Sequence, residues 1–320
     1  MSDATYQPKV YREQGGDRMV VAPGGELLIE GALTGLVPGT DYFVDATNGS
    51  NSNDGLSWAK ALATLDYAIG LCAANAGDRI FLAPWHAENL TTATAINCDV
   101  AGVEIIGLRR GNQMPTFSTT AAAGSITVGA ANVTIRNIRL LAAFAGGTTT
   151  AFTIAAAGDG CTLSGVHCRD SVAGSEFLIH VSVATTVTDL LITGCSFVGL
   201  VGESMTNSIL FAGTSTDCTI ENTYIWVDSS DDVIDHLTGA SVNLVVRGCT
   251  IVNADTDAAG YCLRYKSDGT GVAANNFFAY QKVDAEVSVG AAAWWFQNFA
   301  TNTIGTSSGV LDPAAGAAVP

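Results

Sequence analysis

Apolar residues recur along this chain with a short-range period of two and a long-range period of about 28. The segments VEIIGLRR (103–110), VTIRNIRL (133–140), CTLSGVHC (161–168), LLITGCSF (190–197), CTIENTYI (218–225), LVVRGCTI (244–251) and VAANNFFA (272–279) align without gaps. Their fifth residues are Gly107, Asn137, Gly165, Gly194, Asn222, Gly248 and Asn276, spaced by 30, 28, 29, 28, 26 and 28. Glycine and asparagine are the residues that most readily take a left-handed backbone conformation. Each anchor therefore predicts a sharp corner between two short strands.

The flanking residues demand the same corner. Four and two positions before the anchor stand mostly apolar residues, such as Val133 and Ile135 or Leu190 and Ile192, which alternation places on one face of a strand. After the anchor the inward positions restart one and three residues on, as at Ile138 and Leu140 or Cys195 and Phe197. A straight strand keeps one parity, so the chain has to bend. A third apolar strand per repeat is predicted at 125–129, 151–155, 177–183, 208–213, 232–237 and 261–265. Three short strands per turn, stacked about 4.8 Å apart, make a parallel β-solenoid. An antiparallel sandwich is the competing fold, but it does not predict Gly or Asn at one phase of the repeat.

The ends differ from the repeat. Trp58, Leu62, Leu65, Ile69 and Cys72 form a helical stripe that Ser57 can cap and Gly77 can end, as expected of a cap over an open solenoid end. Residues 1–40 have no place in the repeat and read as an extended arm ordered by a partner surface. The expected organisation is an arm over 1–40, a cap and first strands over 41–100, β-helix repeats over 101–285, and a C-terminal cap and tail over 286–320. Trp294 and Trp295 in that last segment suit a lid or a contact between subunits.

Charge narrows the partners. Lys plus Arg number 14 against 30 Asp plus Glu, a formal charge of −16, which repels nucleic-acid backbones. No apolar run approaches the roughly 20 residues of a membrane helix, and the first residues lack a signal-peptide pattern. Synthesis in the cytoplasm, with neither nucleic acid nor membrane as partner, is the expectation. The eight cysteines show no Cys-x-x-Cys spacing, and five of them fall in inward positions, so buried free thiols explain them. No cofactor or metal is expected; the Asn/Asp-rich loop 45–55 reads as Asx-turns before it reads as an adventitious calcium loop.

Two resemblances follow from particular residues. Tyr42-Phe-Val-Asp-Ala-Thr-Asn-Gly-Ser-Asn-Ser-Asn-Asp-Gly-Leu-Ser-Trp58, with 63–69 and 77–82 after it, resembles the opening of right-handed parallel β-helix proteins of the pectate-lyase-like superfamily, particularly phage-encoded ones. Lys9-Val-Tyr-Arg-Glu-Gln-Gly-Gly-Asp-Arg-Met-Val-Val-Ala-Pro-Gly-Gly-Glu26 resembles a short N-terminal segment of tailed-phage virion proteins. Together they imply an all-β, single-stranded right-handed parallel β-helix with an N-terminal capping helix and an attachment arm. The implied function is a capsid decoration or cement protein on the outer surface of a phage head, a homotrimer bound to the major capsid protein. Tyr11, Arg12, Gly15, Gly16, Arg18, Val20, Leu27 and Ile29 are the implied capsid-binding residues.

The alternative is a tailspike or fibre that binds or depolymerises a glycan, with a free-standing polysaccharide lyase third. Its candidate residues lie in the acidic stretch 226–236: Asp231 and Asp232 first, with Asp228 and His236. Paired carboxylates suit acid–base cleavage of sugars, although an acidic turn between strands is the simpler reading. The outward positions three before each anchor, Glu104, Thr134, Thr162, Leu191, Thr219, Val245 and Ala273, form no carboxylate ladder. Glu104 apart, they are small or apolar, which predicts an oligomer contact at Leu191 and Val245, joined by Trp294 and Trp295.

Overall fold

The computed structural model describes residues 10–12, 19–21, 39–202, 205–236, 238–255, 260–280, 288–289, 292–302 and 308–310. It divides into two units, Met1–Pro38 and Gly39–Pro320. In the first unit, Val10–Arg12 pairs antiparallel with Met19–Val21, with Tyr11 opposite Val20 and Arg12 opposite Met19. Gly15, Gly16, Arg18, Leu27 and Ile29 lie outside the described residues.

The second unit is a parallel β-solenoid. Its first sheet has ten strands, from Asp41–Val44 through Thr134–Arg136 and Leu244–Arg247 to Ala292–Phe296. The second sheet also has ten, from Ala87–Leu90 to Ser308–Val310, where the last pairing alone is antiparallel. The third has eight, from Ile96–Cys98 to Ser288–Val289. Like stacks on like inside, because one rung's inward position lies over the next. Ile105, Ile135, Leu163, Ile192, Ile220 and Val246 form one continuous buried column. Each such side chain contributes roughly 1.5–3 kcal/mol by leaving water.

Five of the seven predicted corners adopt the left-handed conformation: Asn137, Gly165, Gly194, Asn222 and Gly248, with φ between 50° and 63°. Gly107 does not. There the chain leaves the first sheet through a longer connection, with the left-handed residue at Arg109 and a 3-10 turn at Gly111–Gln113. Gly107 is small for another reason: a Cβ on it would come within 2.0 Å of the Asn137 carbonyl oxygen.

Asn276 is corrected by one residue. Val272 lies opposite Val245 and Phe277 opposite Thr250, so the corner falls on Asn275 (φ 55°) and recurs at Gln297 (φ 53°). The inward parity moves with it. Ala273 and Phe278 are buried, Val272 faces outward, and Phe277 is exposed. Asn276 instead turns into the core, accepting the Cys249 N–H (2.9 Å) and donating to the Val246 carbonyl (2.9 Å) and to Asn298 Oδ1 (3.1 Å). It continues the inward column Cys195, Thr223, Cys249, Asn276, Asn298, whose polar atoms satisfy peptide groups that a sharp bend leaves outside the ladder.

All eight cysteines are unpaired. Burial pushes the Cys161, Cys195 and Cys262 thiols up to about 12, so they pack as protonated side chains.

The N-terminal cap is shorter than its apolar stripe predicts. Trp58–Lys60 is a 3-10 turn and Leu65–Ile69 a single helical turn, with Thr64 and Gly70 at its ends in place of Ser57 and Gly77. Asn51 Oδ1 accepts the Ala63 and Thr64 N–H groups (2.9 and 3.2 Å), and Leu62 bridges to Val44, which interrupts the helix between the two turns. Leu62, Leu65 and Ile69 are buried, whereas Trp58 is exposed. A clasp absent from the sequence reading fixes this cap: His86 Nδ1 accepts the Ala46 N–H (3.0 Å), and His86 Nε2 meets Glu88 Oε1 (2.6 Å), which also accepts the Leu65 N–H (2.8 Å). Among the described residues no helix is long and apolar enough to cross a membrane.

Candidate functional site

The acidic stretch 226–236 connects the second sheet to the third. Tyr224–Val227 ends the second-sheet strand and Ile234–His236 is the third-sheet strand. Alternation along the latter sends Ile234 and His236 into the core and turns Asp235 away from it, although Asp235 too is buried, at 8% exposure. His236 is thereby removed from any surface site. Its Nε2 meets Ser215 Oγ (2.7 Å), its Nδ1 meets the Gly239 carbonyl (2.8 Å), and its ring stacks on Phe211 at 4.6 Å. Burial pushes it below the ordinary histidine value. Asp228 is also structural, since its carboxylate accepts the Gly202 N–H.

Asp231 and Asp232 divide the remaining work. Asp231 is exposed, and its Oδ1 accepts the Asp232 N–H (2.9 Å). Asp232 is fully buried: Oδ1 accepts the Tyr261 N–H (2.7 Å), and Oδ2 meets Arg264 Nη1 at 3.3 Å. Its carbonyl is held by Asn207 Nδ2 (2.7 Å). Gly260 permits this closeness, because a Cβ there would meet the Asp231 carbonyl oxygen at 2.2 Å. Burial raises the Asp232 carboxyl to about 6. The Tyr261 N–H and Arg264 pull it down, and Asp235 and Asp231 push it further up.

Arg264 and Tyr261 are the residues the sequence reading missed. Arg264 lies directly opposite Asp235 in the parallel register, and its guanidinium sits 4.9 Å from the centre of the Tyr261 ring. Aligning 232–237 on 261–265 brings the acid and the base into one outward column, which is the signal that was available. The result is a planar cation, stacked on one face by an aromatic ring, tied from beneath by a buried carboxylate and about one-third exposed. Such a group can stack on a flat or ring-shaped ligand and donate hydrogen bonds at its edge. Among the described residues no three His, Cys, Asp or Glu side chains gather as a metal site.

Of the residues predicted at an oligomer contact, Leu191, Val245 and Trp294 share one outward column of the first sheet with Thr219 and Val272. Trp295 faces the other way. It packs edge-on to Tyr265 (5.8 Å) and against Phe278 (6.3 Å), closing the core rather than presenting a surface.

No known protein family matches the chain, and no curated protein matches it. Among solved structures it is similar to a rhamnogalacturonan lyase, with a TM-score of 0.41 and 11% identity over 84% of this chain and 89% of that one. It is also similar to the GH136 lacto-N-biosidase from Eubacterium ramulus, with a TM-score of 0.34 and 10% identity over 82% and 68% of the two chains.

Proposed function

We propose that this chain is a glycan-binding β-solenoid of the tailspike or fibre kind, gripping a saccharide on the outer face of its third sheet. The observation that carries the reading is the clasp of Asp232, Arg264 and Tyr261. A buried carboxylate fixes a part-exposed guanidinium over an aromatic ring, at the cost of raising its own proton affinity. Asp232 is covered as it stands, which favours binding over cleavage. Cleavage needs Asp232 or Asp235 to reach the sugar, with Asp232 as the group able to give up a proton near pH 6.

A glycan array tests this. The full chain is expected to bind a defined set of saccharides, and Arg264→Gln to weaken that binding about tenfold or more. Wild-type binding that Arg264→Gln leaves unchanged removes the site. Saccharide products that vanish in the Asp232→Asn, Asp235→Asn double variant would make the protein an enzyme as well.

A second reading, a decoration protein on a phage head bound to the major capsid protein as a homotrimer, draws on the N-terminal hairpin. It pairs Tyr11 with Val20 in a unit separate from the solenoid. Copy number separates the two: hundreds of chains per purified virion fit decoration, a handful fit a tail part.

A further inference from the structure

Seven of the ten arginines of this acidic protein fall into two groups. Arg79, Arg136, Arg247 and Arg264 each sit against a carboxylate: Asp41, Glu104, Glu221 and Asp232. Arg110, Arg139 and Arg169 make no ion pair among the described residues; Arg139 and Arg169 lie on the second sheet and Arg110 in the loop that leads to it, and all three act on His167. Arg139 lies opposite His167 in the parallel register, and Leu141 opposite Arg169. With Leu140 and Cys168 buried between them, alternation turns Arg139, His167 and Arg169 to the outer face. The preceding loop is drawn onto the same column, because Arg139 Nη2 donates to the Gly111 carbonyl (2.6 Å), next to Arg110.

The cluster is strained in charge and in hydrogen bonding. Arg139 Nε is buried and has no hydrogen-bond partner, an arrangement that native structures keep for a reason. Burial and then Arg169 hold Arg139 below its ordinary value. Burial, then Arg169, Arg139 and Arg110, push His167 down as well. The neighbouring Asp170 carboxylate accepts the Phe177 and Leu200 N–H groups (3.0 and 2.8 Å). A bound anion would neutralise the repulsion among these cations.

We infer that Arg110, Arg139, His167 and Arg169 form an oxyanion site on the outer face of the second sheet, taking the sulfate, phosphate or carboxylate group of a small ligand or a sugar. The guanidinium fork matches those groups in geometry. A long polyanion is disfavoured by the net charge of −16, whereas a single oxyanion within a Debye length, about 10 Å at 0.1 M salt, feels the local cations first. This site lies on a different sheet from the Asp232 clasp and stands without it.

The test follows arginine Nε–H signals of the full chain by NMR during titration with sodium sulfate, at ionic strength held constant with chloride. A second arm uses a glucuronate disaccharide. The Arg139 signal is expected to move saturably in at least one arm. Arg169→Gln and the exposed Arg110→Gln should each weaken the effect about tenfold, and Arg79→Gln should leave it unchanged. Tighter binding of the disaccharide assigns the site to a sugar acid, and tighter binding of sulfate to a free anion. The proposal fails if Arg139 does not respond to either ligand, or if Arg79→Gln weakens binding as much as Arg169→Gln. Repeating the titration on Arg264→Gln separates this result from the glycan reading, because the response should persist there.

Discussion

Asp232 and the buried histidines make opposite contributions to stability as pH changes. The folded-state value of Asp232 lies at about 6, above its unfolded value, so its contribution is complete below about pH 4 and is lost as pH rises through 6. His180, stacked at 5.3 Å on Phe197, is pushed down to about 3, so its contribution is present above about pH 6.5 and is lost on acidification. Asp232→Asn isolates the first effect. In urea unfolding the variant should gain on the wild type between pH 4 and 7, by on the order of 1–2 kcal/mol once solvent screening is allowed for; parallel pH profiles would count against the assigned burial. The acids of this site were legible in the sequence because four of them crowd the eleven residues that end at His236. Arg264 was not, because it lies 32 residues from Asp232 and meets it only through the register of neighbouring rungs.

At the scale of one rung, the corner decides the fold. Gly194 has φ +61° and open space where a Cβ would stand, so only backbone strain opposes substitution. Gly194→Asn should be nearly neutral, and Gly194→Val should cost about 1–2 kcal/mol, in equilibrium denaturation. Asn298→Leu should cost a similar amount for a different reason, because it strips Asn276 N–H of its acceptor and the Ala273 carbonyl of its donor. The period of the repeat exposed most corners directly. It slipped by one at Asn276 because Val272, Ala273 and Ala274 are all small and apolar, leaving the parity of that strand undetermined by hydrophobicity. Gly107 misled in another way, since glycine there answers to a carbonyl passing overhead rather than to a bend.

Across the whole molecule, outward positions rather than the core carry what is individual to this chain. The column Leu191, Thr219, Val245, Val272 and Trp294 ends in an exposed tryptophan, with Phe277, Phe296 and Phe299 also exposed on the same last rungs. Self-association through the column predicts that Leu191→Glu with Val245→Glu lowers the oligomeric mass in light scattering, while a mass unchanged from wild type would discard the contact. Such surface columns were readable only in part, since outward residues obey no core-packing constraint.

The direct test of the glycan-binding reading is a crystal structure of the full chain with an oligosaccharide selected on the array. A sugar ring lying against the exposed face of the Arg264 guanidinium, on the third sheet, is the predicted result. Sugar bound only elsewhere on the solenoid, with Arg264 bare, would contradict it.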